Sequence, residues 1–191
     1  VSDIPVIENS FAKTDEEYVI YRRDPKTLAR SQAIPGQVGL EHRIGGLEKG
    51  EDGGVSYDPD NHEEMSHLRA QKVAGIAKSL DPIEIQGEPE GDLLVIGWGG
   101  TYGAISSAAT NLRDEGFSVS NIHLRHLNPL PDDLGDIIGR FKKVIVPELN
   151  LGQLNLLLRA KYLVDVISYG KLQGKPFKVS ELHEKFLEHL R

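Results

Sequence analysis

The chain has 191 residues, with 22 Lys and Arg against 29 Asp and Glu, a formal net charge of −7, and no cysteine. This length is typical of one domain of ordinary size plus an extension, and 39% hydrophobic residues are enough to form a core. The negative charge argues against nucleic acid or an anionic membrane as a partner. The absence of cysteine excludes disulfides, thiol nucleophiles and Cys-ligated metal or iron–sulfur centres on this chain.

There is no secretory signal, and no apolar run approaches the ~20 residues that a membrane-spanning helix needs. We therefore expect a cytoplasmic setting. The chain starts at Val1 without an initiator Met, so we expect it to be a fragment or a processed product.

Residues 1–60 are rich in Gly, Pro and charge and show little periodicity, which predicts a loop-rich arm. Within it, the segment 17–22 has the composition of a short strand. The arm is too apolar in places for a free tail, so we expect it to lie over another surface. The expected anchors are Ile34, Val38, Leu40, Ile44 and Leu47.

Residues 61–90 are predicted to form an amphipathic helix and a connector. The segment 60–63, Asp-Asn-His-Glu, resembles a capping box, and apolar residues follow it at helical spacing over about 61–80. These apolar residues are Met65, Leu68, Val73, Ile76, Ala77 and Leu80. A turn-rich connector then leads to about residue 90.

Residues 91–191 alternate between short apolar runs and helical patterns. The predicted strands are 93–97, 119–125, 143–146 and 166–169. Four helices are predicted between and after these strands. The first carries Ile105, Ala108, Ala109 and Leu112 and ends before Gly116, and the second carries Leu134, Ile137, Ile138 and Phe141. The third is the segment 151–164, and the fourth is capped at Ser180 and carries Leu182, Phe186, Leu187 and Leu190. This alternation predicts an α/β fold, a mostly parallel sheet with helices on both faces.

The predicted helix over 151–164 is apolar on nearly every side, whereas a surface helix normally has one apolar stripe. Its apolar residues are Leu151, Leu154, Leu156, Leu157, Leu158, Ala160, Leu163 and Val164. Such a helix needs burial on two sides, one against its own sheet and one against another surface. The sequence therefore indicates a component of a larger assembly.

A Gly-rich turn, Gly97-Trp-Gly-Gly-Thr-Tyr-Gly103, joins the first strand to its helix. Ligands bind at the carboxyl ends of parallel strands, where such a turn brings backbone N–H groups close to an anion. The spacing is one residue longer than the dinucleotide fingerprint, and His123, Arg125 and His126 follow the second strand where an acidic ribose ligand is expected. Arg125 suits a 2′-phosphate, so nucleotide binding stays open beside a tight turn at a contact surface.

The third strand leads into the apolar helix through Glu148, Asn150, Gly152 and Gln153. Asn150 and Gln153 form a start like a capping box, which indicates a well-capped helix. The alternative is a helix N-terminus whose positive dipole end faces a partner group or a substrate anion. The candidate contact or anion site comprises Gly97, Gly99, Gly100, Thr101, Tyr102, Gly103, Glu148, Asn150, Gly152 and Gln153.

The sequence contains no catalytic constellation. No Ser-His-Asp order, HExxH motif or P-loop is present, and Glu148 has no second titratable group near it in sequence. His123 and His126 are three apart near a strand end, which directs their side chains to opposite faces of the strand. We therefore predict no catalytic residue and no metal site.

Several stretches together resemble the C-terminal part of the alpha subunit of 2-oxoacid:ferredoxin oxidoreductases, and most closely the members that use 2-oxoglutarate. They are the segments 39–49 (GLEHRIGGLEK), 55–62 (VSYDPDNH), 126–129 (HLNP), 146–154 (VPELNLGQL) and 157–165 (LLRAKYLVD). The resemblance covers nearly the whole chain. It implies a transketolase C-terminal-like domain over 91–191.

The resemblance also implies a reaction. The parent complex converts 2-oxoglutarate, CoA and oxidised ferredoxin to succinyl-CoA, CO2 and reduced ferredoxin. It implies thiamine diphosphate, Mg, an iron–sulfur cluster and CoA on other domains or subunits, because this chain lacks cysteine and lacks the family's Gly-Asp-Gly motif for Mg-diphosphate. The implied partners are the upstream domains of the same subunit, a thiamine-binding beta subunit and, through the complex, ferredoxin.

Two functional hypotheses follow. The first is a domain that acts in subunit assembly and in shaping the active site without carrying catalysis, and that is inactive alone. The second is a free-standing nucleotide- or anion-binding regulatory module of flavodoxin-like architecture.

Overall fold

The computed structural model describes residues 11–13 and 17–191. The chain divides into two compact units, the first ending at Ile76 and the second running from Ala77 to Arg191. The boundary between them falls within the segment 61–90. None of the helices described is long and apolar enough to cross a membrane.

The arm in the first unit is irregular. Its described part contains isolated bridges, which pair Phe11 with Gln32, Arg23 with Arg30 and Lys49 with Val55. The strand predicted over 17–22 is wrong, because this segment passes through a turn at residues 20–21. Of the expected anchors Leu40 is buried, whereas Ile34, Val38, Ile44 and Leu47 are each at least half exposed.

The helix of the first unit, α1, spans Pro59–Gly75 and is followed by a 3-10 turn over Ile76–Ser79. It begins earlier than predicted because Asp58 is the N-cap, accepting a hydrogen bond from the Asp60 N–H at 2.9 Å. Pro59 occupies the first helical position, where its missing N–H costs nothing. Met65 is the buried residue of this helix, and Val73 is exposed, so its apolar stripe is incompletely covered.

The second unit is built on one parallel sheet, as predicted. Its strands are β1 Gly91–Trp98, β2 Val119–Leu124, β3 Phe141–Glu148 and β4 Val166–Gly170. Their order in the sheet is β2-β1-β3-β4, and all three pairings are parallel. Residues 93–96 of β1 are completely buried, as expected for a strand covered on both faces.

Helices cover both faces of the sheet. They are α2 Tyr102–Asp114, α3 Leu134–Ile138, α4 Gln153–Tyr162 and α5 Val179–Leu190. Helices α2 and α5 pack on one face and α3 and α4 on the other. Two details differ from the prediction. Phe141 starts β3 instead of ending α3. The N-cap of α5 is Lys178, whose N–H donates to Glu181 at 3.0 Å, so the predicted cap Ser180 lies inside the helix.

The topology has a switch point at the carboxyl ends of β1 and β3. Helix α2 follows β1 on one face and α4 follows β3 on the other, although β1 and β3 are neighbours. The chain therefore leaves the carboxyl ends of these two strands in opposite directions. Such switch points are where open parallel sheets bind ligands.

Candidate functional site at the carboxyl ends of the strands

Glu148, the last residue of β3, is fully buried at this switch point. Its Oε1 accepts hydrogen bonds from Trp98 Nε1 at 3.3 Å, Asn150 Nδ2 at 3.1 Å and the Leu154 N–H at 2.9 Å. Its Oε2 accepts from the Asn155 N–H at 3.1 Å. All four partners are N–H donors, so both carboxylate oxygens act as acceptors.

The N-terminus of α4 is capped from within the chain. The N–H groups of Gly152 and Gln153 donate to Asn150 Oδ1 at 2.7 and 3.2 Å, and the next two donate to Glu148. The first N–H groups of a helix form its anion-binding end, and here a carboxylate of the same chain occupies it. The predicted capping box, with Asn150 at the N-cap and Gln153 three residues into the helix, is wrong, because Gly152 is the N-cap and Gln153 is the first residue of α4. Asn150 nevertheless accepts from the N–H groups that start the helix, and Glu148 accepts from the next two.

The Gly-rich turn meets α4 through Trp98. Its indole donates to Glu148, while its backbone is held by the Thr101 hydroxyl, which donates to the Trp98 carbonyl oxygen at 2.8 Å. Gly99 follows with φ +58°, a conformation that favours glycine. Gly97 serves packing, since a Cβ there would lie 2.7 Å from Ile105 Cδ1. The two halves of the candidate site are therefore adjacent.

A groove of about 460 Å³ lies beside the turn, at the end of β2. It is lined by Tyr102, His123, Arg125 and His126, among others. Tyr102 and His123 pack edge to face, with ring centres 5.2 Å apart. Sequence reasoning placed the two histidines on opposite faces of a strand, but β2 ends at Leu124, so strand alternation does not extend to His126.

His123 is the perturbed titratable group of this groove. Burial lowers its pKa, the Arg125 guanidinium lowers it further, and the Gly99 backbone opposes both effects. Its Nδ1 is buried and has no hydrogen-bond partner among the described residues. The neutral imidazole is thus the favoured form, which can accept a proton or a hydrogen bond.

Sequence reasoning missed Gln86, which organises one wall of the groove. Its Nε2 donates to the Tyr102 hydroxyl at 2.9 Å, and its Oε1 accepts from Ser106 Oγ and Asn121 Nδ2, each at 2.8 Å. Gln86 lies in a connector without periodicity, so no local pattern signalled it. Trp98 carried a weak signal, as the single tryptophan of the chain set inside the Gly-rich turn.

Helix α4 presents a second surface of the same region. Leu154, Asn155 and Leu158 are buried against the sheet, while Leu156 and Leu157 face outward. The leucines that flank the helix, Leu149, Leu151 and Leu163, are also exposed. We call Leu149, Leu151, Leu156, Leu157 and Leu163 the leucine face. Elsewhere, no group of three or more His, Asp or Glu side chains suited to a metal ion occurs in the part of the chain that the structure describes.

Comparison with known proteins gives relatives of one kind. The 2-oxoglutarate oxidoreductase subunit KorA of Mycobacterium tuberculosis is 49% identical over 185 residues, covering 95% of this chain and 28% of the relative. The 2-oxoglutarate synthase subunit KorA of Methanocaldococcus jannaschii is 31% identical over 153 residues, covering 78% of this chain and 41% of the relative. The chain thus spans well under half the length of these curated relatives. No protein-family model matches it.

A solved structure shares the fold. The 2-oxoglutarate:ferredoxin oxidoreductase of Magnetococcus marinus, with 2-oxoglutarate, coenzyme A and succinyl-CoA bound, superposes with a TM-score of 0.92 and 31% identity, over 99% of this chain and 33% of that chain. This match and the four-stranded parallel sheet confirm the predicted transketolase C-terminal-like α/β fold. The chain belongs to the 2-oxoacid:ferredoxin oxidoreductase family and corresponds to the C-terminal part of its alpha subunit.

Proposed function

We propose that this chain serves a 2-oxoglutarate:ferredoxin oxidoreductase as an assembly domain of the alpha subunit. The whole enzyme would convert 2-oxoglutarate, CoA and oxidised ferredoxin to succinyl-CoA, CO2 and reduced ferredoxin. The names of the relatives support the substrate, since those in Mycobacterium tuberculosis and Magnetococcus marinus are both 2-oxoglutarate enzymes. The chain itself would contact other domains and shape the active site, and the other domains would carry out the chemical steps.

The leucine face is the observation that carries this proposal. Leu151, Leu156 and Leu163 are 79%, 66% and 90% exposed, and they lie on or beside one helix. Isolated exposed leucines are ordinary, whereas five exposed leucines on and beside one short helix indicate an interaction site. The exposed apolar side chains of the arm, such as Val38 and Ile44, support the same conclusion independently. We propose that these surfaces contact the upstream domains and the thiamine-binding beta subunit.

We also propose that the candidate site faces the cofactor-bearing domains. Because Glu148 already occupies the N-terminus of α4, an anionic ligand such as CoA would instead meet the turn from Gly99 to Gly103 and the adjacent groove. Arg125 and the neutral His123 supply polar groups there. Thiamine diphosphate, Mg and the iron–sulfur cluster would be held elsewhere, and for the cluster the reason is chemical, since this chain has no thiolate to offer.

The test is the variant Leu156→Asp, produced together with the upstream domains and a beta subunit. Leu156 makes no contribution to the buried core, so the isolated chain should keep its wild-type melting temperature. A charge placed at a desolvated contact costs several kcal/mol, so the variant should fail to co-purify with the beta subunit.

The matched control is Asn111→Asp, which adds the same charge at an exposed position of α2, on the other face of the sheet. It should assemble like the wild type. Assembly of Leu156→Asp at wild-type yield and with unchanged turnover of 2-oxoglutarate would refute the role of the leucine face.

A further inference from the structure

A pocket in the first unit concentrates positive charge in a chain that is acidic as a whole. It has a volume of about 730 Å³ and lies between the arm and α1. Five of its lining side chains are cationic, namely Arg23, Arg30, Lys49, Arg69 and Lys72, and Glu48 is the one carboxylate among the described lining residues. We call these six residues the arginine pocket.

Two of the arginines face each other at an energetic cost. Arg23 and Arg30 are partners in an antiparallel bridge, which is a position where like charges destabilise. Burial lowers the pKa of Arg23, and the nearby charges of Arg30 and Arg69 lower it further. Its Nε is buried and has no hydrogen-bond partner among the residues that the structure describes. An anion bound near these guanidinium groups would offset the repulsion between their charges.

The cationic groups are held in place by other contacts. Arg23 Nη1 donates to the Leu28 carbonyl oxygen at 3.2 Å, and the Arg30 guanidinium lies 4.5 Å from the centre of the Tyr21 ring. The Lys49 side chain is buried, and its Nζ donates to the Leu47 carbonyl oxygen at 2.7 Å. Donors that are fixed before binding lose little conformational freedom when a ligand arrives.

Charge is only partly neutralised within the pocket. Glu48 accepts from Arg69 Nη1 at 2.8 Å and also lies 2.7 Å from His62 Nδ1, so its two oxygens are already engaged. Five cations against one carboxylate leave four positive charges without an acidic partner in the lining. Guanidinium forks and ammonium groups together suit phosphate oxygens, and a single carboxylate ligand would leave most of this charge unmatched.

The rest of the lining indicates what else the ligand carries. Met65, Val73 and Ile76 are apolar lining residues, and Val73 and Ile76 are partly exposed. Binding sites for small molecules combine such apolar residues with a few placed polar groups. We propose that the arginine pocket binds a small molecule that carries two or more phosphate charges. This site shares no residue with the leucine face, and the proposal stands even if the assembly role fails.

The test is titration calorimetry of the chain with inorganic pyrophosphate at 0.15 M salt, where unspecific charge attraction is screened beyond about 8 Å. We expect saturable binding with one site. Arg30→Gln and Lys72→Gln should each weaken it about tenfold, the usual effect of losing one charge-assisted contact. The control is Arg22→Gln, which removes a positive charge next to Arg23 but outside the pocket, and it should bind like the wild type.

A second readout separates binding from a structural role. Arg30→Gln relieves the repulsion with Arg23 but removes the contact with the Tyr21 ring, so its melting temperature without pyrophosphate should stay close to that of the wild type. Pyrophosphate should raise this temperature less than it raises that of the wild type. Absence of saturable binding to the wild-type chain would overturn the proposal. Equal weakening of pyrophosphate binding by Arg22→Gln would also overturn it. A third contrary result is that Arg30→Gln leaves pyrophosphate binding unchanged and only prevents co-purification with the other domains, which would identify an acidic protein surface as the occupant.

Discussion

The indole N–H of Trp98 donates to the carboxylate of Glu148 at 3.3 Å, although 50 residues separate the two in sequence. Trp98 ends β1 and Glu148 ends β3, so the bond joins the two strands at the switch point of the sheet. The same carboxylate caps α4, whose outer side carries part of the leucine face. The turn, the cap and the proposed contact helix are therefore mechanically connected through Glu148.

Glu148→Gln should destabilise the fold strongly for so small a change. The amide nitrogen of Gln is itself a donor, so it would face one or more of the N–H groups that now donate to the carboxylate. A buried donor left without an acceptor costs about 1–3 kcal/mol. Urea unfolding followed by circular dichroism should show this loss in the free energy of unfolding.

The control for that change is Glu184→Gln on α5, where the side chain is exposed. It should alter the free energy of unfolding by less than about 0.5 kcal/mol, as surface substitutions usually do. Equal unfolding midpoints for the two variants would show that the Glu148 hydrogen bonds carry no net stability.

Gly170→Ala tests the packing behind the same cap. A Cβ at Gly170 would lie 2.7 Å from the backbone oxygen of Asn150, and a backbone atom cannot swing aside as a side chain can. We expect a loss of about 1–3 kcal/mol in the free energy of unfolding. Gly103→Ala is the matched control, because a Cβ there meets nothing within 4 Å and the residue lies in α2, where alanine is the better helix former. A thermal melt in which both variants match the wild type would contradict the close approach.

Stability should depend on pH through His189 in α5. Burial lowers its pKa from 6.5, Lys185 and Lys143 lower it further, and Glu188 opposes them. The unfolded chain therefore binds this proton more readily than the folded one. The stability that the neutral ring provides is present above pH 6.5 and is lost as the pH falls through the lower folded pKa.

His189→Gln removes this titration, so its free energy of unfolding should change less between pH 7.5 and 5.5 than that of the wild type. Carboxylates with lowered pKa values, such as Glu181 and Glu188, lose their contribution at lower pH, since their ordinary value is 4.5. Parallel pH profiles for the variant and the wild type over this window would rule out the histidine as the cause.

The sheet could be predicted from sequence because its signals are local. Each strand is a short apolar run bounded by turn residues, and the predicted face of α2, from Ile105 to Leu112, is buried as expected. The apolar excess of the 151–164 segment likewise predicts a helix with an outward apolar face. In the structure Leu154 and Leu158 of this segment are buried, whereas Leu151, Leu156, Leu157 and Leu163 are exposed.

What could not be predicted depends on contacts between distant segments. No pattern in the arm signals that Arg23 and Arg30 lie opposite each other, because a hairpin with a single bridge has no periodicity. The engagement of Glu148 by Trp98 needs the strand order β1-β3, which sequence alone left undetermined. The strand predicted over 17–22 failed for the same reason. This segment has β-forming residue types, but it passes through a turn and pairs with no strand in the described structure.

Leu163→Gly should stabilise the isolated chain and weaken its assembly. Leu163 ends α4 in the left-handed region, with φ +55°, while its N–H donates to the Arg159 carbonyl oxygen at 3.0 Å. Glycine is the usual residue at this position, and a side chain there costs about 1 kcal/mol. The replacement should therefore raise the free energy of unfolding by about that amount.

A leucine that is 90% exposed and conformationally strained contributes nothing visible to this fold, so we expect its contribution in the complex. Leu163→Asn is the matched variant, since asparagine also tolerates the left-handed region but brings a polar group to the contact. Both variants should melt at or above the wild-type temperature and bind the upstream domains and beta subunit more weakly in a pull-down, with Asn the weaker of the two. If both variants bind as strongly as the wild type, Leu163 does not contribute to the contact and its strain has no function. If Leu163→Gly melts at a lower temperature than the wild type, the leucine side chain stabilises the chain itself.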